Sequence, residues 1–332
     1  MMADIGKKND NVAQWTARSV GSRFQHNFFY FIIKHGGRQT AYCFLSFIVL
    51  FYVLFKPSIC RKADYYLFRR FERRCLAQRL ADNYRLCLNL GKALIDRAVI
   101  GILGEEKLTI EFRDKEKLFD LLKEGRGLIL MTSHVGCWQA AMSALRFLQT
   151  PVHLLLLREE GDIDRHYFEH AGIESPYRII DPTGYLGGVL EMMQVLRAGE
   201  ILCVMGDRFL SGRKGSLAID FLGGKALFPI SSFKIASATR APIVVLYSHK
   251  SGPYNYALDI YDIIRVPSDV GKHDQDFLPY VQKFALTLES YTTAYPYQFF
   301  NFYNMWIEDL QIVEKKRGIL NEHQGKPEEN SY

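Results

Sequence analysis

Residues 125–142 read GRGLILMTSHVGCWQAAM. Leu128–Thr132 is a short, unbroken apolar run, bounded by glycine before it and by Ser133-His134 after it. Such a run predicts a strand covered on both faces, as in a parallel sheet flanked by helices. The pattern then alternates. Lys117–Lys123 reads as a helix before this strand and Gln139–Phe147 as one after it. Strands are expected at Val152–Leu157, Arg178–Ile180, Ile201–Met205 and Ile243–Tyr247. Helices are expected at Asp164–Ala171, Leu186–Arg197 and Phe233–Ala238. Ala257–Ile264 alternates less cleanly and is expected at a sheet edge. The fold class is α/β: a mostly parallel central sheet covered by helices.

The chain has 332 residues, enough for one large domain or two small ones. Charged residues make up 23% and mean hydropathy is near zero, which excludes a bundle of membrane spans. The formal net charge of +6 favours anionic partners. The six cysteines follow no metal-ligand spacing and no disulfide framework, so a reducing compartment is the simplest setting and no metal is expected. No secretory signal is visible.

Four segments are expected: a polar N-terminal stretch (1–27), a membrane-anchoring hydrophobic segment (28–57), a catalytic domain (58–313) and a polar tail (314–332). The uninterrupted apolar part, Thr40–Phe55, would make a helix roughly 24 Å long. That falls short of the ~30 Å hydrocarbon core, so a spanning or an interfacial anchor is possible. Residues 61–97 alternate arginines with leucines at helical spacing, which suits an anionic membrane surface; a solvated helix face is the plainer reading. Nucleic acid is not an expected partner.

In an open parallel sheet, chemistry collects beyond the carboxyl ends of the strands. His134 stands there. Ile201–Met205 ends likewise in Asp207-Arg208, and DFLGGKALFPISS (220–232) reads as a Gly-rich turn feeding a helix. No P-loop, dinucleotide fingerprint or GxSxG elbow is present, and no cofactor is expected. Gly136 permits a close backbone approach. Arg158 and Arg208 could hold anionic groups, and Gly223 and Gly224 could offer backbone N–H groups to an oxyanion. Cys137 is near the histidine, with its side chain expected to point elsewhere.

Four blocks, taken in order, resemble one family. SHVGCWQ (133–139) is similar to the SHxGxWE block of the lauroyl/myristoyl acyltransferases of lipid A biosynthesis, within the lysophospholipid acyltransferase superfamily. MGDRF (205–209), DFLGGKALFPISSFKIASATRAPIVVL (220–246) and the aromatic YPYQFFNFYNMW (295–306) resemble its later blocks. The resemblance covers about residues 20–310. It implies an acyltransferase at the bacterial inner membrane, its catalytic domain on the cytoplasmic face. The donor would be acyl carrier protein or acyl-CoA and the acceptor a hydroxyl or amine of a lipid or glycolipid. It makes His134 the general base and places its orienting partner at position 139. There the family carries an acid and this chain carries Gln139. Three readings stand open: a slower enzyme or one with an easier nucleophile, substitution by another acid (Asp207 or Glu191), or a catalytically impaired lipid-binding or membrane-scaffold protein.

Overall fold

The structure is a computed structural model and describes residues 23–72, 74–143, 145, 148–157, 177–208 and 215–307. The helix expected at Asp164–Ala171, the polar tail and most of the polar N-terminal stretch lie outside these residues.

A sheet of seven strands forms the centre, in the order β1-β9-β8-β2-β5-β3-β4. Its strands are β1 Thr109–Phe112, β2 Leu128–Thr132, β3 Val152–Leu155, β4 Arg178–Ile180, β5 Ile201–Met205, β8 Ile243–Lys250 and β9 Asn255–Ile264. All neighbouring pairs are parallel except β8 and β9. β2 and β5, at the middle, are apolar throughout because both of their faces are covered. Even-numbered β2 residues such as Leu128 and Leu130 pack into one apolar cluster, and odd-numbered ones such as Ile129 and Met131 into another on the opposite face.

Three differences from the sequence reading have plain causes. β9 is not an edge strand, because β1 pairs alongside it; β1 is four residues long, too short to signal itself. The Gly-rich segment is not a turn running straight into a helix. It closes a separate antiparallel hairpin of β6 Ser216–Phe221 and β7 Gly224–Pro229. Residues expected as one helix from Leu186 divide into a short 3-10 turn at Tyr185–Gly188 and a helix from Val189 to Arg197, because Leu186, Gly187 and Gly188 all adopt positive φ.

The helices are α1 Arg23–Phe55, α2 Pro57–Arg70, α3 Leu76–Leu103, α4 Lys115–Leu122, α5 Trp138–Ser143, α6 Val189–Arg197, α7 Ser231–Thr239 and α8 Leu278–Ala294. α1 is longer than the hydrophobic segment expected at 28–57 and starts earlier. It bends at Gly37 (φ 74°, ψ 178°), where only glycine is at ease. One side, including Ile33, Ala41, Leu45, Val49 and Val53, packs on Ile95, Ala98 and Val99 of α3. The other exposes Phe31, Phe47, Phe51, Leu54 and Phe55. Residues 24–55 are long and apolar enough to cross a membrane, yet a third of the most apolar window is buried inside the molecule.

The basic stretch 61–97 falls on α2 and α3, and several of its arginines are engaged within the protein. Arg79 pairs with Asp64 at 3.0 Å, Arg74 with Asp82 at 3.4 Å, and Arg70 Nε donates to the Thr292 carbonyl at 2.9 Å.

Candidate functional site

The last registered pair of β2 and β5 is Thr132 with Met205. The two chains stay together one residue further, where Gly206 N–H donates to the Thr132 carbonyl at 2.8 Å. Parallel register therefore brings the next residues of both chains, His134 and Asp207, to one place. The Asp207 carboxylate lies 3.0 Å from His134 Nδ1 through either oxygen, and Oδ2 also accepts the His134 backbone N–H at 3.2 Å. Asp207 is 1% exposed and the His134 side chain 21%, so the ring is the member of the pair that a substrate can reach.

Burial and the neighbouring Arg208 guanidinium hold the His134 pKa below its ordinary value, against the opposing pull of Asp207. Burial by itself would raise the Asp207 pKa. The His134 ring and its two hydrogen bonds, with Arg208, outweigh that and keep the carboxyl below its usual range. The resting pair is thus a neutral imidazole against a carboxylate. In that state Nδ1–H donates to the Asp207 carboxylate.

The aromatic C-terminal segment straps this arrangement together. Phe300 N–H donates to the His134 carbonyl at 2.8 Å and Gly136 N–H to the Gln298 carbonyl at 3.0 Å, with an antiparallel bridge between Val135 and Phe299. Arg208 Nη2 donates to the Phe300 carbonyl at 2.8 Å, and the Tyr303 hydroxyl donates to the Asp207 carbonyl at 2.6 Å. Gly136 has φ +54°, and a Cβ there would run into the Ser248 carbonyl oxygen. The loop can press against β8 only because residue 136 has no side chain. Cys137 N–H donates to Ser248 Oγ at 3.0 Å. Its buried thiol turns to the Ala93 carbonyl at 3.7 Å, and burial pushes its pKa up to about 11.

Gly223 and Gly224 are explained by the hairpin. Leu222 (φ 48°) and Gly223 (φ 72°) form its two-residue turn, both left-handed, a geometry that favours glycine. A Cβ on Gly224 would meet the Arg69 guanidinium and, at 3.0 Å, Trp306 Cδ1. The hairpin joins the strap through Trp306 Nε1, which donates to the Phe221 carbonyl at 3.1 Å. Gln139 sits on α5 and Arg158 beyond β3; the Gln139 side chain and all of Arg158 lie outside the described residues. Glu191, the other acid weighed for the ring, is exposed on α6. Sequence reasoning gave no individual role to Gln298, Phe300 or Tyr303. Their block was visible only as an aromatic run.

β2, β3, β5, β8 and α5 line a half-open cleft at the same strand ends. Its lining is almost wholly apolar and includes Leu130, Trp138, Met142 and Leu154. Thr132 and Met205 also line it, two residues before His134 and Asp207 respectively. The apolar cleft thus reaches the ends of the two strands whose following residues carry His134 and Asp207.

The sequence of residues 87–308, two thirds of the chain, matches the family model for bacterial lipid A biosynthesis acyltransferases. The chain belongs to this family. Like the family's other members it is an acyltransferase of lipid biosynthesis. The search of curated proteins finds no match. Among solved structures, the chain is similar to the crystal structure of the 1-acyl-sn-glycerophosphate acyltransferase PlsC from Thermotoga maritima. The identity is 14% and the TM-score 0.36, over 77% of this chain and 98% of that one. Within this lipid A acyltransferase family chain, the carboxylate on the histidine comes from position 207.

Proposed function

We propose that the protein moves a fatty acyl group from an acyl carrier protein or acyl-CoA thioester to a hydroxyl or amine of a membrane lipid or glycolipid, with His134 as general base. The contact of Asp207 with His134 Nδ1 carries this reading. His134 Nε2 takes the proton of the acceptor, whose oxygen or nitrogen attacks the thioester carbonyl. Asp207 fixes the tautomer and offsets the imidazolium charge as it forms, the task that Gln139 could not perform because an amide carries no charge. His134 then returns its proton as the thiolate leaves. The acyl chain lies in the apolar cleft, with its carbonyl end at the ring. Arg158 and Arg208 serve anionic groups of donor or acceptor, and Arg208 also holds the strap. Gly136 shapes the loop, while Gly223 and Gly224 shape the hairpin behind it.

The exposed phenylalanines of α1 and the net charge of +6 support attachment to an anionic membrane, proposed as the bacterial inner membrane with the catalytic domain on the cytoplasmic face. The scaffold alternative drew its force from Gln139, and an acid on the ring weakens that premise.

Purified protein, a long-chain acyl thioester and a lipid extract as acceptor test the proposal. His134→Ala is expected to abolish acyl transfer. Asp207→Asn is expected to lower it by up to about 10⁴, the cost of the same change at the orienting acid of a serine protease. Transfer at the wild-type rate by His134→Ala protein would overturn the assignment.

A further inference from the structure

Behind the catalytic loop, where α1 and α3 meet β8 and β9, lies a second cluster of charge. Asp96 of α3 is fully buried, and four donors saturate its carboxylate. Oδ1 accepts from Arg38 Nη1 at 3.5 Å and from the Tyr42 hydroxyl at 2.5 Å; Oδ2 accepts from Lys250 Nζ and the Tyr256 hydroxyl, both at 2.6 Å. Around the Tyr42 ring stand three cations, Arg38, Lys92 and Lys250, at 5.5, 5.6 and 5.7 Å from its centroid. Asp96 pairs with two of them. Lys92 has no carboxylate partner among the described residues.

Arg38 is the unusual member. It is 6% exposed, yet its Nε and Nη2 meet no acceptor among the described residues. Its guanidinium carbon lies 3.8 Å from the centroid of Tyr254, a contact that occupies the face of the group and leaves the N–H edge. A buried guanidinium with unanswered donors is costly, and three cations within 6 Å of one ring repel each other. The Nε–Nη2 edge is a fork with the spacing of two oxygens of one oxyanion.

We propose that Arg38, Lys92 and Lys250 form a phosphate-binding site at this junction, separate from the acyl-transfer site. A phosphate suits it in charge and in oxygen count: two oxygens for the Arg38 fork and one for Lys92. Its source is the headgroup of an anionic lipid lying along the exposed apolar face of α1, or free phosphate. Occupancy would clamp α1 to α3 and β8. It would also stiffen the catalytic loop, because the Gln298 side chain holds both the N–H and the carbonyl of Lys250 while its own carbonyl accepts Gly136 N–H.

The test needs no turnover, so its outcome is independent of the reaction proposed above. Full-length protein in neutral detergent is titrated with short-chain phosphatidic acid, short-chain phosphatidylcholine or inorganic phosphate, and the unfolding temperature is followed. Phosphatidic acid is expected to raise it saturably. Phosphatidylcholine should have little effect. Lys92→Glu, at a half-exposed position, is expected to weaken the apparent affinity at least about ten-fold, and Arg38→Gln similarly. If Arg38→Gln does not fold, Lys92→Glu decides. An equal response to inorganic phosphate identifies free phosphate as the source. An equal response to phosphatidylcholine, no response to any phosphate, or variants that respond like the wild type overturns the site.

Discussion

Asp207 changes what His134 can do. The imidazole is held neutral by burial and by Arg208, and in the proposed mechanism the carboxylate on Nδ1 prepares it to accept a proton at Nε2. Because the His134 pKa lies below the ordinary histidine value, protonation that removes the base begins only at acidic pH. The acid limb of kcat/KM against pH, which reports the free enzyme, is expected to have its midpoint below about 6.5. Asp207→Asn removes the one influence that raises the His134 pKa, so the limb of its residual activity should shift further to acid. A rate–pH profile of both proteins checks the direction, and a shift toward alkaline pH would contradict it. The position of the histidine could be read in advance, since it follows a buried strand directly. Its partner could not. Asp207 is 73 residues away in sequence, and nothing local distinguishes it from Glu191 as a candidate. The outcome depends on β5 lying next to β2.

Among the elements, the strands buried on both faces were the most legible. β2 and β5 have the expected limits because continuous apolar runs flanked by turn residues admit few other placements. β1 and the β6–β7 hairpin were less so. The first is short, and the second carries its turn at Leu222-Gly223, where a glycine-rich loop predicts several shapes. The His134 loop packs closely against β8, and this contact turns on Gly136. Gly136→Ala would place a left-handed alanine in contact with the Ser248 carbonyl. The left-handed backbone alone costs about 1–3 kcal/mol, and the collision adds to it. Chemical denaturation should show a loss at least of that order, with activity falling because His134 moves with the loop. A variant as stable as the wild type would mean that the strap, not the glycine, sets the loop.

For the molecule as a whole, α1 has two contrasting faces. Its inner face packs so closely on α3 that a Cβ on Gly91 would lie 2.6 Å from Leu45 Cδ1, whereas its outer face is a row of exposed phenylalanines. The double change Phe47→Ser and Phe51→Ser removes mainly exposed apolar surface, with the Phe51–Phe55 ring contact on the same outer face. It is expected to leave the unfolding temperature almost unchanged and to release the protein from anionic vesicles in a flotation assay. Retention on vesicles would assign attachment to another surface. The amphipathic and basic character of residues 61–97 was evident from composition, but its use was not. Arginines expected to face lipid are drawn to Asp64, Asp82 and the Thr292 carbonyl, because folding places acceptors beside them. Local periodicity and residue chemistry were enough to determine the α/β class, the central strands, the place of His134 and the apolar N-terminal segment, since each depends on neighbours in the chain. The tertiary structure alone decided which acid meets the histidine, which glycines serve turns and which cations share Asp96. Those pairings join residues far apart in sequence, and only strand register and helix packing bring them together.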